Sequence, residues 1–342
     1  MHKKIIGVVH NVPVPAGDAF SEASLDVLTQ VEAIERALQG LGYPSIRIPF
    51  TRDVSSFIQG MKAAKVEMVA NLCETLDEDP RFTGHPAAVL ELLGIPFSGS
   101  PSLALMLSTD KPMTKRLLRA YGIRTPNYMI YNDTGKFDFH IMRYPVIVKP
   151  IFQDASIGID QESIFRDDRS LREGIKEFFS RFGALLVEEY IAGREFNVSI
   201  FGYPSSRGLP IAEIDFSAFP EGLFPIVSYR AKWDTSSFEY YHTPRKFSGG
   251  PSPGLHERIE RTALECFHVL MLRDYGRVDV RINDHGQIYV LEVNANPCLS
   301  PDAGFAAAAQ QAGMSYTDMV SQLVDFIERR SGNNAGQVSH TS

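Results

Sequence analysis

The stretch Gly276 to Pro301, GRVDVRINDHGQIYVLEVNANPCLSP, restricts the fold more than any other part of the chain. It sets two alternating runs, Arg277 to Ile282 and Gln287 to Asn294, on either side of Asn283-Asp284-His285-Gly286. Such a composition suits a tight turn, so the segment reads as an antiparallel hairpin. With Ile282 opposite Gln287, Arg277 would face Glu292, and Asp279 would be a diagonal neighbour of Glu292 at roughly 7–8 Å. Glu292 and Asn294, two apart on one strand, would share that face. A solvated hairpin with ordinary surface ion pairs would use the same charges. Val278, Val280, Ile282, Ile288, Val290, Leu291 and Val293 argue against full exposure, and buried acids need a partner. Two carboxylates and an amide oxygen beside an arginine form a hard oxygen site, suited to Mg²⁺ ions that also hold phosphate. A metal would also explain Asn294, which cannot join an ion pair.

Two further constellations precede the hairpin. Tyr144 to Asp160, YPVIVKPIFQDASIGID, gives a short apolar strand ending in Lys149-Pro150, then a loop with Ser156-Ile157-Gly158. A lysine at the end of a buried strand can present its ammonium to a phosphate, and a Ser-x-Gly loop can add hydroxyl and N–H donors. Taken alone, such a lysine is most often a solvated charge. Ala184 to Ile200, ALLVEEYIAGREFNVSI, is two apolar strands around Ala192-Gly193-Arg194, with Glu188, Tyr190 and Ile191 ending the first and Glu195 beginning the second. That edge could hydrogen-bond a purine and a ribose, or be a plain hairpin.

In order, Lys111, PVIVKP with Ser156-Ile157-Gly158, VEEYIAGREF, GRVDV and LEVNANP resemble the ATP-grasp superfamily, and within it the D-alanine–D-alanine ligases. The resemblance runs from about Val69 to Glu328 and implies a three-domain ATP-grasp fold, α/β and α+β. It implies that Lys111 and Lys149 contact ATP phosphates, that Glu188, Tyr190 and Ile191 line the adenine, and that Glu195 holds the ribose. Ser156 would touch the γ-phosphate, and Lys232, in YRAKWD, would close over ATP on a mobile loop. Asp279, Glu292 and Asn294 would bind two Mg²⁺ or Mn²⁺ ions, and Arg277 would stabilise the acyl phosphate and the tetrahedral intermediate.

The chain also departs from the ligase pattern. Cys298 stands where the ligases have an oxyanion-binding glycine, and Ala303 where a serine holds the carboxylate of the second D-alanine. Ala155 and Trp233 replace a loop serine and a tyrosine that, in the family, hydrogen-bond each other and a glutamate, for which Glu22 is the nearest candidate. Their joint absence implies that this polar link is lost. Ser300 and Arg245 remain as other possible anchors in the substrate pocket. Nucleotide chemistry is kept and amino-acid recognition rebuilt, so the expected activity is an ATP-dependent carboxylate–amine ligase acting through an acyl phosphate on an amino acid or short peptide, not one making D-alanyl-D-alanine. The alternatives are a ligase-like enzyme loading an aminoacyl group onto a carrier-protein thiol, and a non-catalytic ATP-binding module.

At 342 residues, 44% hydrophobic, the chain can build two or three cores. The landmarks divide it into an α/β domain at 1–108, a central subdomain at 109–191, and a C-terminal subdomain at 192–330. Residues 331–342 read as a disordered polar tail. Residues 204–253 hold seven prolines and read as a lid rather than an irregular surface loop. A net charge of −7 offers no footprint for nucleic acid or anionic membrane, and no apolar run reaches ~18 residues. Small-molecule substrates and a cytoplasmic location are expected, with a homodimer left open. Cys73, Cys266 and Cys298 suggest neither a disulfide framework nor zinc spacing. Cys298 reads better as a small pocket residue than as a nucleophile.

Overall fold

The computed structural model describes residues 3–15, 17, 20–132, 138, 142–247 and 250–337. The run Ile5 to Val9 has no polar face, as expected of a strand covered on both sides. It becomes the centre of a parallel sheet of β1 (Ile6–Asn11), β2 (Ser45–Phe50) and β3 (Met68–Asn71), in the order β2-β1-β3. Helix Ser21–Gly40 packs Val31, Ile34 and Leu38 against Ile6 and Val8, and Met319, Val320 and Leu323 of the last helix complete that core.

A second sheet, wholly antiparallel, runs β4-β7-β5-β6 from β4 (Tyr128–Tyr131), β5 (Val146–Pro150), β6 (Ile164–Phe165) and β7 (Leu185–Glu189). Leu171 and Ile175 of helix Asp168–Phe182 cover it. The third sheet contains β8 (Arg194–Gly202), β9 (Arg207–Gly208), β10 (Ala212–Ile214), β11 (Arg245–Lys246), β12 (Asp274–Ile282) and β13 (Ile288–Asn294). Its order is β11-β10-β8-β12-β13, with β9 on β8. Helix Pro253–Val269, which the sequence reading did not single out, closes one face through Ile259, Ala263, Cys266 and Phe267. Its signal was present: Pro253 at the first turn, then apolar residues at helical spacing. No helix among the described residues is long and apolar enough to cross a membrane.

The hairpin forms, but in a different register from the one expected. Ile282 faces Ile288, so the connection is five residues, and the pairing shifts between Asp279 and Val280. Leu291 is the extra residue of a β-bulge. Asp279 therefore lies directly opposite Glu292, and Arg277 opposite Asn294. A bulge restores alternation where the sequence breaks it: Val290 and Val293, three apart, both face the core while Glu292 and Asn294 face away. The last helix also runs further than expected, Tyr316–Gln337, through much of the expected tail. Positions 338–342 of that tail, and 248 and 249 of the expected lid, lie outside the described residues.

Asp274 joins the three regions that meet at the start of β12. It is 1% exposed with φ 66°, a left-handed conformation that Asp tolerates better than most residues. Its carboxylate accepts from the Gly99 N–H at 2.9 Å and from both terminal nitrogens of Arg330 on the last helix. Asp274→Ala would leave the Arg330 guanidinium without its counter-charge, and urea unfolding should show a loss of about 3–5 kcal/mol. Asp274→Asn, which keeps the backbone preference and an acceptor for Gly99, should lose less. A loss below ~1 kcal/mol for Ala would show that the junction does not depend on this contact.

Candidate active site

The site forms where the outward faces of β8, β12 and β13 meet the central β5–β7 pair of the second sheet. The β8–β12 register places Asn197 beside Asp279 and Glu195 beside Arg281. Arg277 grips Asp279 with two hydrogen bonds, Nε to Oδ1 at 2.8 Å and Nη2 to Oδ2 at 3.0 Å, and its Nη2 lies 3.5 Å from Glu292 Oε1. Asn197 Nδ2 donates to Asp279 Oδ1 at 2.8 Å, and Asn294 Oδ1 accepts from the Asn296 N–H at 2.9 Å. Burial, with Arg277 only partly offsetting it and Glu292 adding to it, pushes the Asp279 carboxyl up to about 6. Burial would raise Glu292 too, but Lys232, Lys111 and Arg277 outweigh it and hold that carboxyl at about 2. The pair therefore holds its charge unevenly, as two carboxylates facing each other beside several cations should.

Glu195 and its neighbours form the other end. Arg281, which the sequence reading passed over, donates to Glu195 Oε2 from Nε at 2.9 Å and from Nη2 at 2.8 Å, and to the Ile191 carbonyl at 2.9 Å. Its guanidinium stands 4.9 Å from the centre of the Tyr190 ring. The turn before β8 needs Gly193: its φ is 133°, and a Cβ there would come 2.0 Å from the Ile282 carbonyl oxygen. That close approach holds the Glu195 strand against the hairpin.

Glu188 lies between Lys149, in direct contact, and Lys115, whose Nζ is 2.8 Å from Oε2 and donates to the Leu291 carbonyl at 3.1 Å. Burial alone would raise the Glu188 carboxyl, but Lys115 and Lys149 override it and hold it at about 2. Lys115 is thus a second residue the sequence reading missed, because one lysine in an amphipathic helix carries no signal of its own. Lys111 contacts the Gln153 carbonyl and, unlike the other expected site residues, does not line the cavity.

The segment carrying Lys232 is docked over this site. Ser156 Oγ donates to the Val227 carbonyl at 2.8 Å, and the Tyr229 N–H to the Ile159 carbonyl at 2.8 Å. Trp233 Nε1 donates to the Ala155 carbonyl at 3.0 Å, while Tyr229 OH donates to Glu22 at 3.1 Å. The polar link expected to be lost is therefore present with different atoms. An indole N–H reaches a backbone carbonyl, which no side-chain substitution removes, and the tyrosine has moved four residues upstream. Burial and then Arg277 lower the Lys232 ammonium below the ordinary lysine value, with Glu292 and Asp279 opposing.

At the far end, Asp26 of helix Ser21–Gly40 accepts from Cys298 Sγ at 2.9 Å and from Ser300 Oγ at 3.0 Å. Gln30 accepts from the Leu299 N–H at 3.0 Å and donates to Glu74 at 2.9 Å. Burial and the charge of Asp26 push the Cys298 thiol well above its ordinary value, so it remains protonated and is no nucleophile in this state. Burial, with Asp154 adding, pushes Glu74 up to about 8. Ala303 precedes helix Gly304–Gln311 and offers no side-chain cap. One cavity of about 510 Å³ spans both ends, lined by Lys149, Lys232, Arg277 and the acid pair as well as by Asp26, Cys298, Ser300 and Ala303.

Among the described residues no three His, Cys, Asp or Glu side chains cluster tightly enough to hold a metal alone. Asp279 and Glu292 with the Asn294 amide fit Mg²⁺ of the kind that takes one or two carboxylates and completes its shell with phosphate and water.

A family model for the D-ala D-ala ligase C-terminus matches residues 117–325. The chain belongs to the D-alanine–D-alanine ligase family. It is 33% identical over 264 residues to the uncharacterised protein y4sG of Sinorhizobium fredii, covering 77% of this chain and 75% of that one. It is 30% identical over 296 residues to a D-alanine–D-alanine ligase of Syntrophotalea carbinolica, covering 86% and 88%. Its fold matches that of a D-alanine–D-alanine ligase from Bacillus anthracis solved in complex with ATP, with a TM-score of 0.74, 24% identity and coverage of 96% and 99%. The fold is accordingly the ATP-grasp fold of these ligases, and the protein is an ATP-grasp ligase forming C–N bonds.

Because Glu188 has a folded value near 2 against an unfolded 4.5, its contribution to this ligase's stability is present above pH 4.5 and lost as pH falls towards 2. Glu188→Gln should cost about 3–5 kcal/mol at pH 7 by leaving two buried lysines unpaired. The gap from the native protein should close across that acid window. Denaturant melts at pH 7, 5, 4 and 3 would measure it, and a constant gap would place the stabilisation elsewhere.

Proposed function

We propose that the protein is an ATP-dependent carboxylate–amine ligase that acts on an amino acid or short peptide through an acyl phosphate, and that D-alanyl-D-alanine is not its product. The observation that carries this reading is the single cavity joining the lysine, arginine and acid-pair end to the Asp26, Cys298 and Ala303 end. A carboxylate is a poor acyl donor until one oxygen is phosphorylated, and phosphoryl transfer is catalysed chiefly by positioning and charge neutralisation. Lys149 and Lys232 would neutralise phosphoryl oxygens at one end of that cavity, and Arg277 would face the charge that develops as acid attacks phosphorus and ADP leaves. Tyr190, Ile191 and Glu195 would hold the adenosine, with Arg281 fixing the Glu195 carboxylate. Asp279, Glu292 and Asn294 would hold two Mg²⁺ ions, which when bound supply Lewis-acid charge to the phosphates. Nitrogen of the acceptor amine then forms the bond to the acyl carbon, and inorganic phosphate departs. Ser156, Val227, Ala155 and Trp233 keep the lid shut, which protects an acyl phosphate from water.

The product follows from what the far end lacks. A second D-alanine brings a carboxylate, and losing a hydroxyl partner to a charged group costs about 1.5–3 kcal/mol, or roughly ten- to a hundred-fold in affinity. Ala303 has no hydroxyl, and Cys298 adds bulk, so a second D-alanine whose carboxylate sits at position 303 would lose that anchor. Glu292→Gln and Asp279→Asn should leave folded proteins whose substrate-dependent release of ADP, without AMP, is at least ~100-fold lower. Release within a few-fold of the native rate, or AMP as the product, would refute the acyl-phosphate reading. With ATP, magnesium and millimolar D-alanine, mass spectrometry should detect little or no dipeptide; efficient synthesis would show that these substitutions do not exclude it.

A further inference from the structure

We propose that Arg245 is the specificity-determining residue for the acceptor, and that it binds a free carboxylate on the amine-bearing substrate in place of the hydroxyl missing at Ala303. The inference deepens the ligase reading above and rests on it for the identity of the acceptor.

Ser300 and Arg245 are two polar side chains of the cavity wall around Ala303 that could anchor an anion, and the geometry separates them. Ser300 Oγ lies 3.0 and 3.2 Å from the two carboxylate oxygens of Asp26, so its proton points to that carboxylate. The Cys298 Sγ–H is also directed to Asp26, at 2.9 Å. A substrate carboxylate on this side would meet lone pairs and the negative charge of Asp26. Such a wall repels anions.

Arg245 stands on the other side. It enters from edge strand β11, paired with Ile214, and lines the cavity beside Ala303 and Gly304. Its Nη2 donates to the Asp302 carbonyl at 3.1 Å, which orients the fork without neutralising it. No carboxylate lies within ion-pair distance of its guanidinium among the described residues, although the neighbouring Lys246 and Arg194 both have acid partners. Gly304 makes room for it: a Cβ there would come 3.3 Å from Nη1. A planar fork with open donors, held beside an apolar Ala303, suits bidentate capture of a carboxylate. The acceptor class is therefore an α-amino acid or short peptide with a free carboxylate, displaced from the place a hydroxyl at position 303 would hold it.

The test offers the full chain, ATP and magnesium an equimolar mixture of free amino acids (the nineteen L-forms, glycine and D-alanine) and their carboxamides. With the amides of aspartate and glutamate left out, because their side chains keep a carboxylate, the carboxamides can serve only as acceptors, so mass spectrometry of dipeptides against dipeptide amides reads acceptor choice. Native protein should favour the free-acid acceptor by about 10- to 100-fold, Arg245→Ala should bring the ratio close to one, and Arg245→Lys should fall between. A native ratio near one, an unchanged ratio in Arg245→Ala, or loss of preference in Ser300→Ala but not Arg245→Ala would overturn the proposal. A calorimetric arm keeps the two readings apart, titrating glycine, L-alanine and D-alanine and their amides into protein loaded with a non-hydrolysable ATP analogue and magnesium. Acid-selective binding that depends on Arg245, with no product of either kind, would sink the ligase reading and leave the anchor standing. No difference between acid and amide binding to native protein would remove the anchor.

Discussion

The nine-residue antiparallel pairing of β8 with β12 is the constraint on which the rest of the site depends. It places the Glu195 and Arg281 pair, facing the Tyr190 ring, on the same sheet face as Asn197, Asp279 and Arg277. One ladder thus sets the spacing between the Glu195–Arg281 pair and the Arg277–Asp279 pair. The bulge at Leu291 then brings Glu292 across from Asp279 instead of diagonal to it. Neither strand could move by one residue without turning its charged side chains into the core.

Such charge density is tolerated because nearly every buried ion has an opposite partner. Glu188 between Lys115 and Lys149, Asp279 in the fork of Arg277, and Glu195 in that of Arg281 form a chain of compensation through a low-dielectric region. Buried pairs of this kind contribute little net stability, yet removing one member leaves an uncompensated charge. Their value here is positional: they hold cations rigidly at one end of a cavity.

The other end follows a different rule. Asp26 draws the protons of Cys298 and Ser300 toward itself, and Tyr316 OH ties the Leu299 carbonyl at 2.9 Å. The 298–300 segment is thereby fixed as an anion-repelling wall opposite Arg245. The Lys232 segment is likewise held by local contacts, Trp233 to the Ala155 carbonyl and Tyr229 to Glu22.

The hairpin, the Lys149 strand, the Glu188 to Glu195 segment and their order were legible in the sequence, because alternation and turn composition are local properties. So was family membership, because the motifs are contiguous. The bulge was not legible, since it is decided by which valines the core accepts, Val290 and Val293, and not by either strand alone. Arg281, Lys115 and Asp26 were not legible either, each being an ordinary residue until a partner 86, 73 or 274 positions away reaches it. The sequence by itself determined most of the strands and the family, through short-range periodicity and contiguous motifs. Only the tertiary structure decided which acids face each other, which hydroxyls are already engaged and that Arg245 has no acid within ion-pair distance among the described residues, because electrostatic partnership depends on distance in space and not along the chain.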